Sequence, residues 1–171
     1  MDVPYQTCLE MLQQREYKIT KRDDPTRILA VKPDGTQMAV FFTDVSKFNV
    51  KNAQVCIAEM NDMDIFHSII VYKDSVTAFT RKAISKSIEM KIELFAEKDL
   101  QYNITKHRLQ PIFEKLPRQE AEAFKKKFGV KFGVMRSDDP ISRFYAYNRG
   151  DVIRVTRGAA SKFVTYRLVR G

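Results

Sequence analysis

The last 34 residues, Asp138 to Gly171, constrain the fold most, because one continuous stretch spells a whole supersecondary unit. Asp139 can cap a helix, and Pro140 suits the first helical position, where a missing N–H costs nothing. Ile141, Phe144 and Tyr145 follow at i, i+3 and i+4 and make a short apolar face. Asn148-Arg149-Gly150 is expected to stop that helix, with Gly150 free to take positive φ. Val152, Ile153 and Val155 then read as a β-branched strand, and Gly158-Ala159-Ala160-Ser161 as a turn. Phe163, Val164, Tyr166, Leu168 and Val169 read as the returning strand. Arg143 and Arg167 sit inside this apolar pattern beside aromatic residues. A guanidinium there can fork onto a carboxylate or onto backbone carbonyls, and Asp139 and Asp151 are the candidate carboxylates.

Upstream, Tyr5, Cys8, Leu9 and Leu12 recur at i, i+3, i+4 and i+7 and predict a helix of about three turns. Residues 28–31 and 38–42 predict a hairpin around Pro33-Asp34-Gly35-Thr36. Val50, Ala53, Ile57 and Met60 space as a helix face. Ser68 to Tyr72 is almost wholly apolar, as in a strand covered on both sides. Val76, Phe79 and Ala83 predict another helix, and residues 92–95 and 100–105 short strands. The alternation argues for an α/β sheet flanked by helices. After Pro111 the pattern changes. Pro117 opens a charged helix over residues 118–127, Phe128-Gly129 ends it, and Val134-Met135 reads as a brief strand.

Charge is unevenly placed. Of the net +9, residues 1–110 carry 16 basic against 15 acidic groups, net +1; residues 111–171 carry 14 against 6, net +8. A basic C-terminal third fits an anionic neighbour, either nucleic acid or an acidic protein surface. No run of eighteen apolar residues exists to span a membrane. The first residues lack the pattern of a signal peptide. Cys8 and Cys56 sit among apolar positions and read as buried free thiols of a reducing compartment.

Two segments carry a family resemblance. In the C-terminal stretch fourteen residues fall in register: Asp139, Pro140, Arg143, Phe144, Arg149, Gly150, Val152, Ile153, Arg157, Thr165, Tyr166, Arg167, Leu168 and Val169. About thirty residues earlier, Asn103-Ile104-Thr105-Lys106-His107-Arg108-Leu109-Gln110-Pro111 resembles an N-I-T-x-H-x-L-x-P segment. Both are similar to the fifth subunit shared by the nuclear RNA polymerases of eukaryotes, whose C-terminal domain matches a small subunit of the archaeal polymerase. Gly133-Val134-Met135-Arg136 stands where that family has L-P-R-I, and the hairpin tip is shorter. Nuclear members of that family are also longer near the N-terminus, so the resemblance implies a reduced member, from a divergent eukaryote or a large DNA virus.

The resemblance implies an α/β (α+β) fold in two domains: an endonuclease-like jaw domain over residues 1–105, and a small mixed-sheet assembly domain of the archaeal small-subunit type over 106–171. It implies a non-catalytic subunit of a DNA-dependent RNA polymerase that docks on the largest subunit. Docking residues would be Asp139, Pro140, Arg143, Arg149, Gly150, Tyr166 and Arg167. Asn103, Thr105 and His107 would serve the junction of the domains. Lys73, Thr77, Arg81, Lys82 and Lys86 would lie near downstream duplex DNA, where long basic side chains and hydroxyls suit sequence-independent phosphate contact. No cofactor and no membrane partner is expected. The location would be the nucleus for a cellular protein, and the viral factory or virion for a viral one.

Catalytic readings are thin. His67 and His107, the two histidines, have no second ligand at metal spacing. Pro33-Asp34 with Glu89-Met90-Lys91 formally matches the carboxylate–lysine pattern of metal-dependent nucleases, across a long separation. Lys125-Lys126-Lys127 is either a phosphate contact or a solvated helix face. The alternatives to a polymerase subunit are a free-standing nucleic-acid-binding factor and a divalent-metal nuclease.

Overall fold

Tyr5, Cys8, Leu9 and Leu12 are all buried on one face of α1 (Val3–Gln14), a helix with Pro4 in its first turn. The computed structural model describes residues 2–158 and 162–171, the side chain of Asp23 excepted. They fall into two units, Met1–Tyr102 and Asn103–Gly171.

In the first unit α1 leads into an antiparallel meander of β1 (Lys18–Asp24), β2 (Arg27–Val31) and β3 (Gln37–Thr43). The β2–β3 turn is held by Asp34, whose carboxylate accepts from the Thr36 N–H at 2.9 Å. β4 (Lys47–Phe48) and α2 (Val50–Asp62) cross over to β5 (His67–Tyr72); β6 (Ser75–Val76) and α3 (Ala78–Ser85) cross over to β7 (Lys91–Ala96). The sheet order is β1-β2-β3-β5-β7, with β3, β5 and β7 parallel, while β4 and β6 pair separately. α2 starts at Asn49 through a reciprocal cap: Asn49 accepts from the Lys51 and Asn52 N–H groups, and Asn52 accepts from the Asn49 N–H.

Alternation along the strands sorts the core into two faces. Ala39, Phe41, Ile70, Tyr72 and Ala96 face Ala53, Cys56, Met60 and Ile84 of α2 and α3. Met38, Val40, Ile69, Val71 and Phe95 are buried on the opposite side, which α1 covers. There the Tyr5 ring sits 5.1 Å from that of Phe42, and its hydroxyl donates to the Arg22 carbonyl. Burial pushes the Cys8 thiol up to about 12 and the Cys56 thiol up to about 11. Both cysteines are free and buried, as their apolar settings predict.

The second unit is built from β8 (Ile112–Lys115), α4 (Arg118–Phe128), β9 (Gly133–Arg136), α5 (Pro140–Tyr145), β10 (Val152–Arg157) and β11 (Phe163–Arg170). Its sheet order is β8-β10-β11-β9, antiparallel except for the β11–β9 pair. The expected hairpin forms, from Val152 opposite Leu168 to Arg157 opposite Phe163. Residues 159–161 of its expected turn lie outside the described residues. α5 covers one face, over Met135, Ile153, Val155 and Val169. α4 covers the other, over Val152 and Leu168, with Phe124, Phe132 and Tyr166 around them. The fold is α+β, two mixed sheets each packed with helices.

Three local expectations are corrected. No strand forms over 100–105; a 3-10 turn at Glu97–Leu100 and another at Ile104–Lys106 take its place. Asn103 accepts from the Thr105 N–H at 3.0 Å, a local bond that competes with strand pairing. α5 ends at Ala146, which takes the left-handed conformation at φ 54°, ahead of Asn148-Arg149-Gly150. α3 forms, but Thr80 and Ile84 are its buried face, while Phe79 is 73 % exposed.

One polar cluster sits inside the first unit. The Arg15 guanidinium, 3 % exposed, donates to both oxygens of Glu93 at 3.0 and 2.8 Å. His67 Nε2 lies 2.6 Å from Glu93 Oε1. Burial alone would raise the Glu93 pKa, but the Arg15 charge and the hydrogen bonds of His67 and Arg15 outweigh it and hold the carboxyl at about 2. Its folded value lies below the ordinary 4.5, so the stabilisation is present above pH 4.5 and is lost as pH falls toward 2. Glu93→Gln should cost about 3 kcal/mol at neutral pH by leaving a buried guanidinium without its counter-charge. Urea unfolding should show that gap between wild type and variant closing over the same acid range; a gap independent of pH would refute the assignment.

Candidate assembly and nucleic-acid surfaces

The expected nucleic-acid residues divide by what they already touch. Thr77 is the N-cap of α3: its hydroxyl oxygen accepts from the Thr80 N–H at 3.2 Å and lies 2.6 Å from the Thr80 hydroxyl. Its own N–H donates to the Phe48 carbonyl, so the β4–β6 pair sets where the helix begins. Lys73 is paired with Asp44 at 2.6 Å, and the hydrogen bond and charge of that pair raise the lysine and lower the aspartate. Arg81 donates to the Tyr72 hydroxyl at 3.1 Å. Lys82 and Lys86 are exposed and make no ion pair among the described residues. They share the outer line of α3 with Phe79 and Ala83, at i, i+3, i+4 and i+7 from Phe79. Residues 75–88 contain no acidic group, so this helix presents uncompensated positive charge.

In the second unit α5 is positioned by its cap. Asp139 accepts from the Ile141 N–H at 2.9 Å, and Pro140 occupies the first turn. The other candidate carboxylate, Asp151, accepts from the Asn148 N–H at 2.8 Å and pairs with Lys115 at 3.5 Å. Arg167 donates to the Val134 carbonyl at 3.1 Å, so its planar head ties β11 to the edge strand β9. Gly150 takes φ 91° at the entry to β10, and its N–H donates to the Val169 carbonyl. The Arg149 guanidinium lies against the Cα of Gly171.

Tyr166 and Arg167 are neighbours on β11 and therefore point to opposite faces. Arg167 shares the α5 side with Val169, next to Gly133. Tyr166 packs under α4, its ring 4.4 Å from that of Phe124. Asp139, Pro140, Arg143 and Arg167 are thus gathered on one side of the sheet, and Tyr166 on the other. Asn103, Thr105 and His107 shape the start of the unit: Asn103 accepts from the Thr105 hydroxyl at 2.6 Å, and His107 Nδ1 accepts from the Leu109 N–H at 3.3 Å. Ile104 thereby packs onto the α5 side of the core, beside Tyr145 and Tyr147. Those two rings stack at 5.3 Å, and burial raises the pKa of both hydroxyls.

Two features were not singled out from the sequence. The Arg15–Glu93–His67 cluster joins residues far apart in the chain and leaves no local spacing signal. The aromatic cluster of Phe124, Phe128, Phe132 and Tyr166 did leave one, in phenylalanines four residues apart. For the nuclease reading, Asp34 is engaged in its turn and Glu89 is exposed. Among the described residues no group of three or more His, Cys, Asp or Glu could hold a metal ion. No helix among them is long and apolar enough to cross a membrane.

Comparison with known proteins points one way. The family model for RNA polymerase Rpb5, C-terminal domain, matches residues 102–169. A protein of Invertebrate iridescent virus 6 named as DNA-directed RNA polymerase subunit 454R is 34 % identical, over 97 % of this chain and 97 % of its own. DNA-directed RNA polymerases I, II, and III subunit rpabc1 of Dictyostelium discoideum is 32 % identical, over 95 % of this chain and 93 % of its own. The protein of the same name from Caenorhabditis briggsae is 28 % identical, over 99 % of this chain and 84 % of its own.

The packing sets the half-buried Tyr166 ring against α4. Tyr166→Ala should lower stability by about 2 kcal/mol through lost ring contact. Tyr166→Phe should leave it nearly unchanged, because the hydroxyl makes no hydrogen bond among the described residues. Urea midpoints of the two variants check this; equal losses would show that the hydroxyl, not the ring, matters.

Proposed function

The chain belongs to the RNA polymerase Rpb5 family, and we propose that it serves a DNA-directed RNA polymerase as a subunit that assembles and positions without chemistry of its own. The observation that carries this is similarity along nearly the whole chain, not in the C-terminal stretch alone, to a relative named as a polymerase subunit. In this reading the chain works as two domains, 1–105 and 106–171. The second docks on the largest polymerase subunit through the α5 side of its sheet, with Arg143 and Arg167 as the charged contacts and Asp139 and Pro140 holding the helix that carries Arg143. Arg149 and Gly150 shape the neighbouring turn. The first domain lends its α3 face to downstream duplex DNA. Arg81, Lys82 and Lys86 supply phosphate contacts there, Lys73 shares its charge with Asp44, and Thr77 sets the helix start. Long basic side chains and hydroxyls on that face suit sequence-independent phosphate contact.

The location follows the polymerase: the nucleus for a cellular enzyme, the viral factory or virion for a viral one.

Purification of the tagged chain from its own source should recover both large catalytic subunits in equal amounts. Recovery without them would favour a free-standing nucleic-acid-binding factor. The double change Arg143→Glu with Arg167→Glu should cut that recovery, and normal recovery would remove the docking assignment. Lys82→Glu with Lys86→Glu should leave assembly intact and reduce the salt slope of downstream-DNA retention by about two. An unaltered slope would take α3 off the DNA path.

A further inference from the structure

The α4 side of the second sheet carries a surface that the proposed function leaves unused. Residues 123–137 hold Lys125, Lys126, Lys127, Lys131 and Arg136 with no acidic residue among them, and of these Arg136 is paired with Asp138 just beyond. Within this basic stretch three apolar side chains stand out in water: Phe128 is 58 % exposed, Val130 47 % and Val134 44 %. They border the aromatic cluster. Phe124 lies 4.8 Å from Phe128, 5.1 Å from Phe132 and 4.4 Å from Tyr166. Val134 is opposite Leu168 on the same side of the sheet as Tyr166.

The surface is held in shape before anything binds. Gly129, at φ 73°, ends α4 and turns the chain outward. Arg170 donates to the Val130 carbonyl and Arg167 to the Val134 carbonyl, each at 3.1 Å. Two arginines of β11 thus pin the 130–134 segment by its backbone. A pinned apolar patch loses little entropy on docking, and one with a central aromatic and a charged rim has the anatomy of an interface.

The chemistry selects among anionic partners. Single-stranded nucleic acid would need a free aromatic face for base stacking. Phe128 does not offer one: the Lys127 ammonium stands over its ring at 5.1 Å, and the ring leans on Phe124 at 46°. Val130 and Val134 cannot stack a base. Apolar side chains flanked by carboxylates satisfy both halves of the patch. We infer that the α4 face, centred on Phe128, Val130 and Val134 and rimmed by Lys126, Lys127 and Lys131, is a docking surface for an acidic amphipathic segment of another protein. It lies on the opposite side of the sheet from Arg143 and Arg167, so it is a second interface, and it does not depend on the polymerase reading.

The test uses the purified full chain and three fluorescent probes read by anisotropy. One is a twenty-residue acidic peptide with Leu and Phe at i, i+3, i+4 and i+7; the second has Ser at those positions; the third is a twenty-base-pair duplex. The amphipathic peptide should bind about tenfold tighter than the Ser peptide. Phe128→Ser should remove most of that advantage, and Lys126→Glu with Lys127→Glu should weaken both peptides. Arg143→Ala, on the other side, should change neither. Equal binding of the two peptides would reduce the surface to a solvated basic face. Tighter binding of the duplex than of either peptide, insensitive to Phe128→Ser, would make it a nucleic-acid surface. Either result, or no binding of the amphipathic peptide, overturns the inference. Phe128 is 58 % exposed but leans on Phe124, so Phe128→Ser should lower the urea midpoint only slightly, and its binding is read without urea, where the variant stays folded.

Discussion

A guanidinium with almost no access to water must find its charge balanced where it lies, and in the first unit that requirement fixes three elements at once. Arg15 closes α1, Glu93 sits on the edge strand β7 and His67 opens β5. The meander β1–β3 pairs with β5 on one side, so the cluster ties the N-terminal helix to the parallel half of the sheet. Apolar burial on that face is generous, but it is not directional. Sliding α1 by one turn would tear Arg15 from both carboxylate oxygens. The network thus contributes register more than net energy, since much of its attraction offsets the cost of taking the ions out of water.

The second unit solves a different problem with similarly few parts. Its sheet has only four strands, and both faces are apolar enough to need cover. Each helix is short: α5 is fixed by its cap and proline, while α4 relies on an aromatic cluster around Phe124. Because adjacent residues on a strand face opposite ways, Tyr166 and Arg167 serve opposite sides. Adjacent positions in a sequence motif therefore do different work: one packs against α4, the other ties an edge strand from the α5 side.

Much of this was legible. The C-terminal helix and hairpin, α1, the β2–β3 hairpin, α2, β5 and α4 all carry periodic apolar patterns or turn residues that leave little choice. The misses have physical causes. β1 and β8 are edge strands whose charged residues face water, so neither shows the apolar alternation of a central strand. α3 was placed correctly and turned wrongly, because Thr80 fills a core position while Phe79 stands outside. Lys82 and Lys86 were legible as surface charge, but Thr77 proved a helix cap and Lys73 half of an ion pair. The Arg15–Glu93–His67 cluster was invisible, since it joins residues 78 and 26 positions apart.

β1 has a consequence for the time before the chain finds its partners. An edge strand offers a row of unpaired backbone groups to any other strand that meets it. Here the row is broken twice, by irregularities between Ile19 and Lys21 and between Lys21 and Asp24, and one of its carbonyls, that of Arg22, already accepts from Tyr5. Lys18, Lys21 and Arg22 project from the same strand into water. A second copy approaching along this edge meets a bent ladder with one carbonyl already taken, which disfavours strand pairing there.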